Sequence, residues 1–181
     1  MNRSLSPICL FTYNRLEETK LTIEALQANF LAKDSDLYIF SDGWKNENAR
    51  ASVLGVREFL KSVKGFKKID ILESDNNKGL AKSIIDGVTM VLENYEKVIV
   101  IEDDLITSKN FLDFMNQSLD RYFDHKDIFS ISGYTLDLPS LSSLEEDYYL
   151  GVRASSWGWG TWKRSWEDID WEISDYDVFM K

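Results

Sequence analysis

The sequence predicts an α/β fold: an open, largely parallel sheet with helices on both faces, followed by an aromatic and acidic C-terminal extension. Three observations carry this. Short apolar runs alternate with helically spaced apolar residues from about residue 7 to about residue 134, as consecutive β–α–β units require. The run Val98-Ile99-Val100-Ile101 holds no polar residue, which suits a strand covered on both faces. Every predicted strand ends in polar residues, and in a parallel sheet those ends meet at one edge.

The elements follow in order. Ile8 to Phe11 reads as a strand, turning at Thr12-Tyr13-Asn14 into a helix with apolar residues at Leu16, Ile23, Leu26 and Phe30. Asn14 and Glu17 have N-cap and capping-box spacing. Leu37 to Phe40 is a second strand closed by Ser41-Asp42-Gly43, and Val53, Val56, Leu60 and Val63 mark a second helix. Lys68 to Glu73 is a third strand, and the polar turn from Asp75 to Gly79 leads into a helix marked by Leu80, Ile84, Val88 and Val91. The fourth strand ends in Glu102-Asp103-Asp104. Ser108 caps a helix carrying Phe111, Phe114 or Met115, Leu119 and Tyr122, and Ile128 to Gly133 is a fifth strand. After Tyr134 the pattern stops, so the expected division is 1–135 as the α/β core and 136–181 as a further, partial region.

Composition narrows the function. A 44% hydrophobic and 13% aromatic content supports a packed core rather than disorder. A net charge of −10 argues against a broad basic surface for nucleic acid or an anionic membrane. One cysteine, Cys9, excludes a disulfide framework and a cysteine-based zinc site. No apolar run approaches the roughly 20 residues a membrane span needs, and Met1 to Pro7 lacks a signal-peptide core. The expected location is the cytoplasm, or the periphery of the inner membrane. The single histidine, His125, lies among Asp124, Lys126 and Asp127 and reads as a surface residue.

The strand ends supply the candidate site. Glu102-Asp103-Asp104 places three carboxylates directly after a buried strand, where mutual repulsion raises their pKa values unless a cation offsets it. Oxygen donors favour a hard ion, magnesium or manganese, held by few carboxylates together with substrate phosphates. The triplet alone fits a solvated acidic loop equally well. Asp42-Gly43 reads as a turn, or as a carboxylate accepting from a ligand N–H. Arg15 begins a helix, where a cation is unfavourable without a nearby anion; otherwise it is simply exposed. Asn76 to Gly79 is no Walker loop, yet its backbone and Lys78 or Lys82 can meet a phosphate. Five of the six tryptophans lie in the last quarter. Trp159, Trp162 and Trp166 have helical spacing, and Trp162 and Trp166 read as core, while Trp157 and Trp159, flanked by Gly158 and Gly160, suit a flexible wall against a ligand.

Taken together these segments resemble nucleotide-sugar glycosyltransferases with the GT-A variant of the Rossmann-like fold. The resemblance rests on Pro7-Ile8-Cys9-Leu10-Phe11-Thr12-Tyr13-Asn14-Arg15, Ile39-Phe40-Ser41-Asp42-Gly43, Asn77-Lys78-Gly79-Leu80-Ala81, Val98 to Leu105 as a "DXD" segment, and Trp157-Gly158-Trp159-Gly160. The Glu-Asp-Asp form followed by Phe111-Leu112 is similar to the N-acetylglucosaminyltransferase that initiates complex N-glycan branching. The resemblance implies that Asp42 accepts from a uracil-type base, Arg15 meets the diphosphate, and Glu102 and Asp103 contact ribose or sugar hydroxyls. Thr12, Tyr13, Lys82 and Trp157 complete the implied nucleotide-sugar site, with Asp104 as the ligand of manganese or magnesium. It further implies a UDP-sugar donor, a saccharide or glycolipid acceptor in polysaccharide biosynthesis, and inversion by single displacement.

A carboxylate base is also implied. Glu167, Asp168, Asp170, Asp175 and Asp177 are candidates, with Asp170 and Asp177 kept as the named pair. No Asp-Asp-Trp-like stretch follows the tryptophan segment, so the expectation is a base beyond Lys181 and a longer catalytic domain. Two other readings stay open. One is a non-catalytic or remnant nucleotide-sugar-binding domain. The other is a magnesium-dependent phosphoryl-transfer domain, against which stand Glu102 where a phosphatase needs a nucleophilic aspartate, and Tyr13-Asn14 where a receiver domain needs acidic residues.

Overall fold

The computed structural model describes residues 4–139, 141, 145, 148–174 and 176–180. Six strands form one mixed sheet: β1 (Ile8–Thr12), β2 (Asp36–Ser41), β3 (Lys68–Glu73), β4 (Lys97–Glu102), β5 (Ser130–Ser132) and β6 (Trp159–Trp162). Their spatial order is β3-β2-β1-β4-β6-β5. The first four are mutually parallel, and β6 runs antiparallel between β4 and β5. The helices are α1 (Leu16–Gln27), α2 (Glu47–Leu60), α3 (Leu80–Leu92), α4 (Phe111–Arg121) and the short α5 (Lys163–Trp166) and α6 (Tyr176–Phe179).

Side-chain alternation along the central strands builds two cores. Ile8, Leu10, Ile99 and Ile101 face α1, α2 and α4 through Ile23, Leu26, Val56, Leu60, Leu112 and Met115. Cys9, Phe11, Val98 and Val100 face α3 through Val88, Val91 and Leu92, with Trp166 beside them. Val98 to Ile101 are all fully buried, as their unbroken apolar run predicts, and each such side chain contributes about 1.5–3 kcal/mol. The Cys9 thiol is pushed far up by complete burial, which makes it an inert core residue.

Several local expectations change. Asn14 is not the cap of α1; Arg15 holds the N-cap position with no side-chain cap, and Phe30 lies beyond the helix and is exposed. Ser108 does not cap α4. Its Leu112 N–H donates instead to Asn29 Oδ1 at 2.9 Å, a partner 83 residues away that local spacing does not reveal. The fifth strand shrinks to three residues.

Trp159 to Trp162 form a strand, although their spacing suits a helix. Two-residue alternation sends Trp159 to the α3 side and Trp162 to the α4 side. Both Trp162 and Trp166 are core residues. Trp162 Nε1–H donates to the Leu119 carbonyl and Trp166 Nε1–H to Thr89 Oγ1, both at 2.9 Å, so neither indole is buried unsatisfied. The segment after residue 135 thus supplies an inner strand to the same sheet. Among the described residues no helix is long and apolar enough to cross a membrane.

Candidate functional site

The strand order places β2 and β3 on one side of β1 and β4 on the other, so the direction of winding reverses between β1 and β4. A crevice forms beyond the carboxyl ends of strands at such a point. A cavity of about 440 Å³ lies there, lined by Phe11 to Arg15, Phe40, Asp42, Lys45, Asn77, Gly79, Leu80, Ser83, Glu102 and Asp103. It gathers Thr12, Tyr13, Arg15, Asp42, Glu102 and Asp103 from the sequence-predicted set.

Two bonds close the β1/β4 junction. The Tyr13 N–H donates to Asp103 Oδ2 at 3.2 Å, and Arg15 Nη2 donates to Asp103 Oδ1. Arg15 Nη1 reaches Asp104 Oδ2 at 2.9 Å, so one guanidinium bridges two carboxylates. Asp103 is only 3% exposed. Burial raises its pKa, against the opposing pull of Arg15 and the Tyr13 N–H. Burial also raises that of Glu102, helped by the like charges of Asp104 and Asp103.

Asp42 sits at the end of β2 and is 8% exposed. Its Oδ1 accepts from the Gly43 and Lys78 N–H groups, both at 2.9 Å. Its Oδ2 accepts from the Gly79 N–H at 3.0 Å and from Asn77 Nδ2 at 2.9 Å. Each oxygen thus has two donors, which fills the capacity of a carboxylate. The expected acceptance from a base N–H finds no free acceptor position; Asp42 instead moors the turn from Asn77 to Gly79 against β2. Gly79 adopts φ +77°, a conformation that favours glycine, and leads into α3.

Gly43 is fixed by crowding. A Cβ there would stand 2.5 Å from the Asn76 carbonyl carbon. Gly43→Ala is therefore expected to push the 76–79 turn away from β2 and destabilise the protein by about 2 kcal/mol or more, read as a lowered urea midpoint. An unchanged midpoint would show that the turn yields freely.

Arg57 is the structural residue that the sequence reading missed. It lies on the buried face of α2 and is 7% exposed. Nε donates to Ser41 Oγ, and Nη2 donates to the carbonyls of Ser41, Asp42 and Ser74 at 3.3, 3.2 and 2.7 Å. Nη1 pairs with Glu73 at 3.2 Å. One side chain thereby ties the ends of β2 and β3 together. A signal was present: Arg57 stands beside Val56 and between Val53 and Leu60 on the apolar stripe.

Other candidates stand apart from the cavity. Lys82 pairs with Asp86 at 3.0 Å, as does Lys78, and its ammonium lies outside the lining. Trp157 is 51% exposed and packs edge-on to Tyr134, ring centroids 4.6 Å apart, also outside the lining. Asp170 is exposed and folded onto its own turn, accepting from the Ser174 N–H at 2.7 Å and the Ser174 hydroxyl at 2.6 Å. These bonds hold its carboxyl below the usual range, which is unfavourable for a general base. Asp175, Lys181 and the side chain of Asp177 lie outside the described residues. His125 is exposed, as expected.

Among the described residues no group of three or more His, Cys, Asp or Glu side chains is arranged to hold a metal. Asp104 nonetheless fits a hard ion that takes one protein carboxylate and fills its shell with phosphate oxygens and water. Its side chain is 43% exposed and Arg15 engages Oδ2 alone.

No protein-family model matches the chain, and no curated protein matches its sequence. Solved structures do resemble it. The mannosyltransferase PcManGT from Pyrobaculum calidifontis, in complex with GDP-Man and Mn2+, aligns over 71% of this chain and 35% of its own, at 10% identity and TM-score 0.46. TarS of S. aureus aligns over 65% of this chain and 20% of its own, at 14% identity and TM-score 0.45. The chain therefore spans about a third of the first protein and a fifth of the second. A proposed nucleotide-diphospho-sugar transferase from Desulfovibrio desulfuricans G20 aligns over 94% of this chain and 72% of its own, at 12% identity and TM-score 0.52. That last likeness shows that the chain shares the α/β fold of the Desulfovibrio protein.

Proposed function

We infer that the chain binds a nucleotide-diphosphate sugar, of the UDP-sugar class, and transfers the sugar to a saccharide or glycolipid acceptor. The observation that carries this reading is the cavity at the β1/β4 reversal, where Thr12, Tyr13 and Arg15 from one strand end meet Glu102 and Asp103 from the other. Apolar walls from Phe11, Phe40 and Leu80 beside polar strand ends suit a nucleoside. The start of α1, with Arg15 at its N-cap, suits a diphosphate. Glu102 is placed to hold a ribose or sugar hydroxyl.

In the transfer, the bond between the anomeric carbon and the diphosphate oxygen breaks as an acceptor oxygen bonds to that carbon. The acceptor hydroxyl gives its proton to a carboxylate base, and the nucleoside diphosphate leaves. Asp104 is the residue that would hold a manganese or magnesium ion. Such an ion supplies charge neutralisation on the leaving group. Arg15 adds a second positive charge beside it.

Asp104→Ala tests the reading. Asp104 is half-exposed and makes its one side-chain bond to Arg15, so the melting temperature is expected to stay within about 2 °C of wild type. Calorimetric affinity for UDP in manganese is expected to fall at least tenfold, which is about 1.4 kcal/mol. Unchanged affinity contradicts the assignment of Asp104.

A further inference from the structure

We propose that Arg15 is an internal counter-ion for Asp103 and Asp104 which gives way only when a divalent cation and a nucleoside diphosphate arrive together. It thereby makes the binding of each depend on the other. This rests on the function proposed above and adds a device that governs how the site fills.

The geometry sets the competition. The Arg15 fork spans both carboxylates, taking Asp103 Oδ1 with one nitrogen and Asp104 Oδ2 with the other. The Asp103 carboxylate is nearly buried, with one oxygen on the Tyr13 N–H and the other on Arg15. Without Arg15 it would lose its cationic partner, which is costly for a buried charge. The Arg15 side chain is 45% exposed, so an incoming anion can reach it while Nη2 stays on Asp103.

A cation arriving alone must take Asp104 from Arg15. The guanidinium then keeps only Asp103 on Nη2, and Nη1 is left without its carboxylate at the positive end of the 12-residue helix α1. A diphosphate arriving with the cation removes that penalty, because its oxygens accept from the released Nη1 and from the helix start. The same side chain therefore opposes the metal alone and favours the metal with nucleotide, which is positive coupling between two ligands.

The test counts free manganese by electron paramagnetic resonance, with and without UDP, for wild type, Arg15→Gln and Arg15→Lys. In wild type, UDP is expected to tighten manganese binding by roughly 5- to 150-fold. Arg15→Gln is expected to bind manganese alone at least about fivefold tighter than wild type and to lose most of the enhancement by UDP. Arg15→Lys, which keeps the charge without the fork, is expected to fall between them. Wild-type coupling together with unchanged or weaker metal-only binding in Arg15→Gln overturns the counter-ion role and leaves the functional reading standing. Failure of the wild type to bind manganese with UDP overturns that functional reading, and the counter-ion role with it.

Discussion

Asp42→Ala is expected to lower the melting temperature by roughly 6–12 °C and to abolish nucleotide binding. Four bonds end on this carboxylate, three from backbone N–H groups and one from Asn77. Hydrogen bonds to a charged group contribute about 1.5–3 kcal/mol each, and these four share one anchor, so their losses do not simply add. A net cost of about 3 kcal/mol follows, equivalent to 2–4 °C per kcal/mol for a chain of this size. The turn it moors carries Asn77 and Gly79, which line the cavity, so binding falls with the turn. Asp42→Asn separates shape from charge. An amide of the same size faces donors with its own N–H groups on one side, and it is expected to lose at least half of the stability that Asp42→Ala loses. An Asp42→Asn protein as stable as wild type would show that the four bonds contribute little.

Arg57→Leu is expected to cost about 3 kcal/mol, read as a lowered urea midpoint with an unchanged slope. The leucine fills the site but leaves the carbonyls of Asp42 and Ser74 and the Glu73 carboxylate without the guanidinium, while the Ser41 carbonyl keeps only the Ser74 N–H. Glu73 is partly exposed and water can serve it, so Glu73→Gln is expected to cost under about 1 kcal/mol. The contrast assigns the effect to the buried carbonyls. Equal costs for the two variants would place it in the ion pair instead.

Particular residues show what was legible in the chain. Val98 to Ile101 announced a central strand because a sheet covered on both faces leaves nothing for a polar residue to do. The same logic located the cavity, since strand ends that are polar in sequence converge where a parallel sheet reverses its winding. Bonds between distant segments were not legible. Asn29 capping α4 and Asp42 saturated by the 77–79 turn are tertiary facts, and neither has a local signature. Trp159-Gly160-Thr161-Trp162 is ambiguous because four residues fit both periods; pairing with Lys97 to Val100 decides for a strand. Asp170 is a base candidate by residue type alone, and its own turn occupies both of its oxygens.

The central claim is that the cavity at the β1/β4 reversal binds a nucleotide-diphosphate sugar with a divalent ion. A thermal-shift screen of UDP- and GDP-sugars, each with manganese and with chelator, tests it most directly. A ligand that binds the folded state alone at a hundred times its Kd stabilises by about 2.7 kcal/mol, so roughly 5–11 °C is expected for the right donor. The shift should appear with manganese, collapse with chelator, and fall by half or more in Asp104→Ala. No shift with any UDP- or GDP-sugar in manganese would contradict the account.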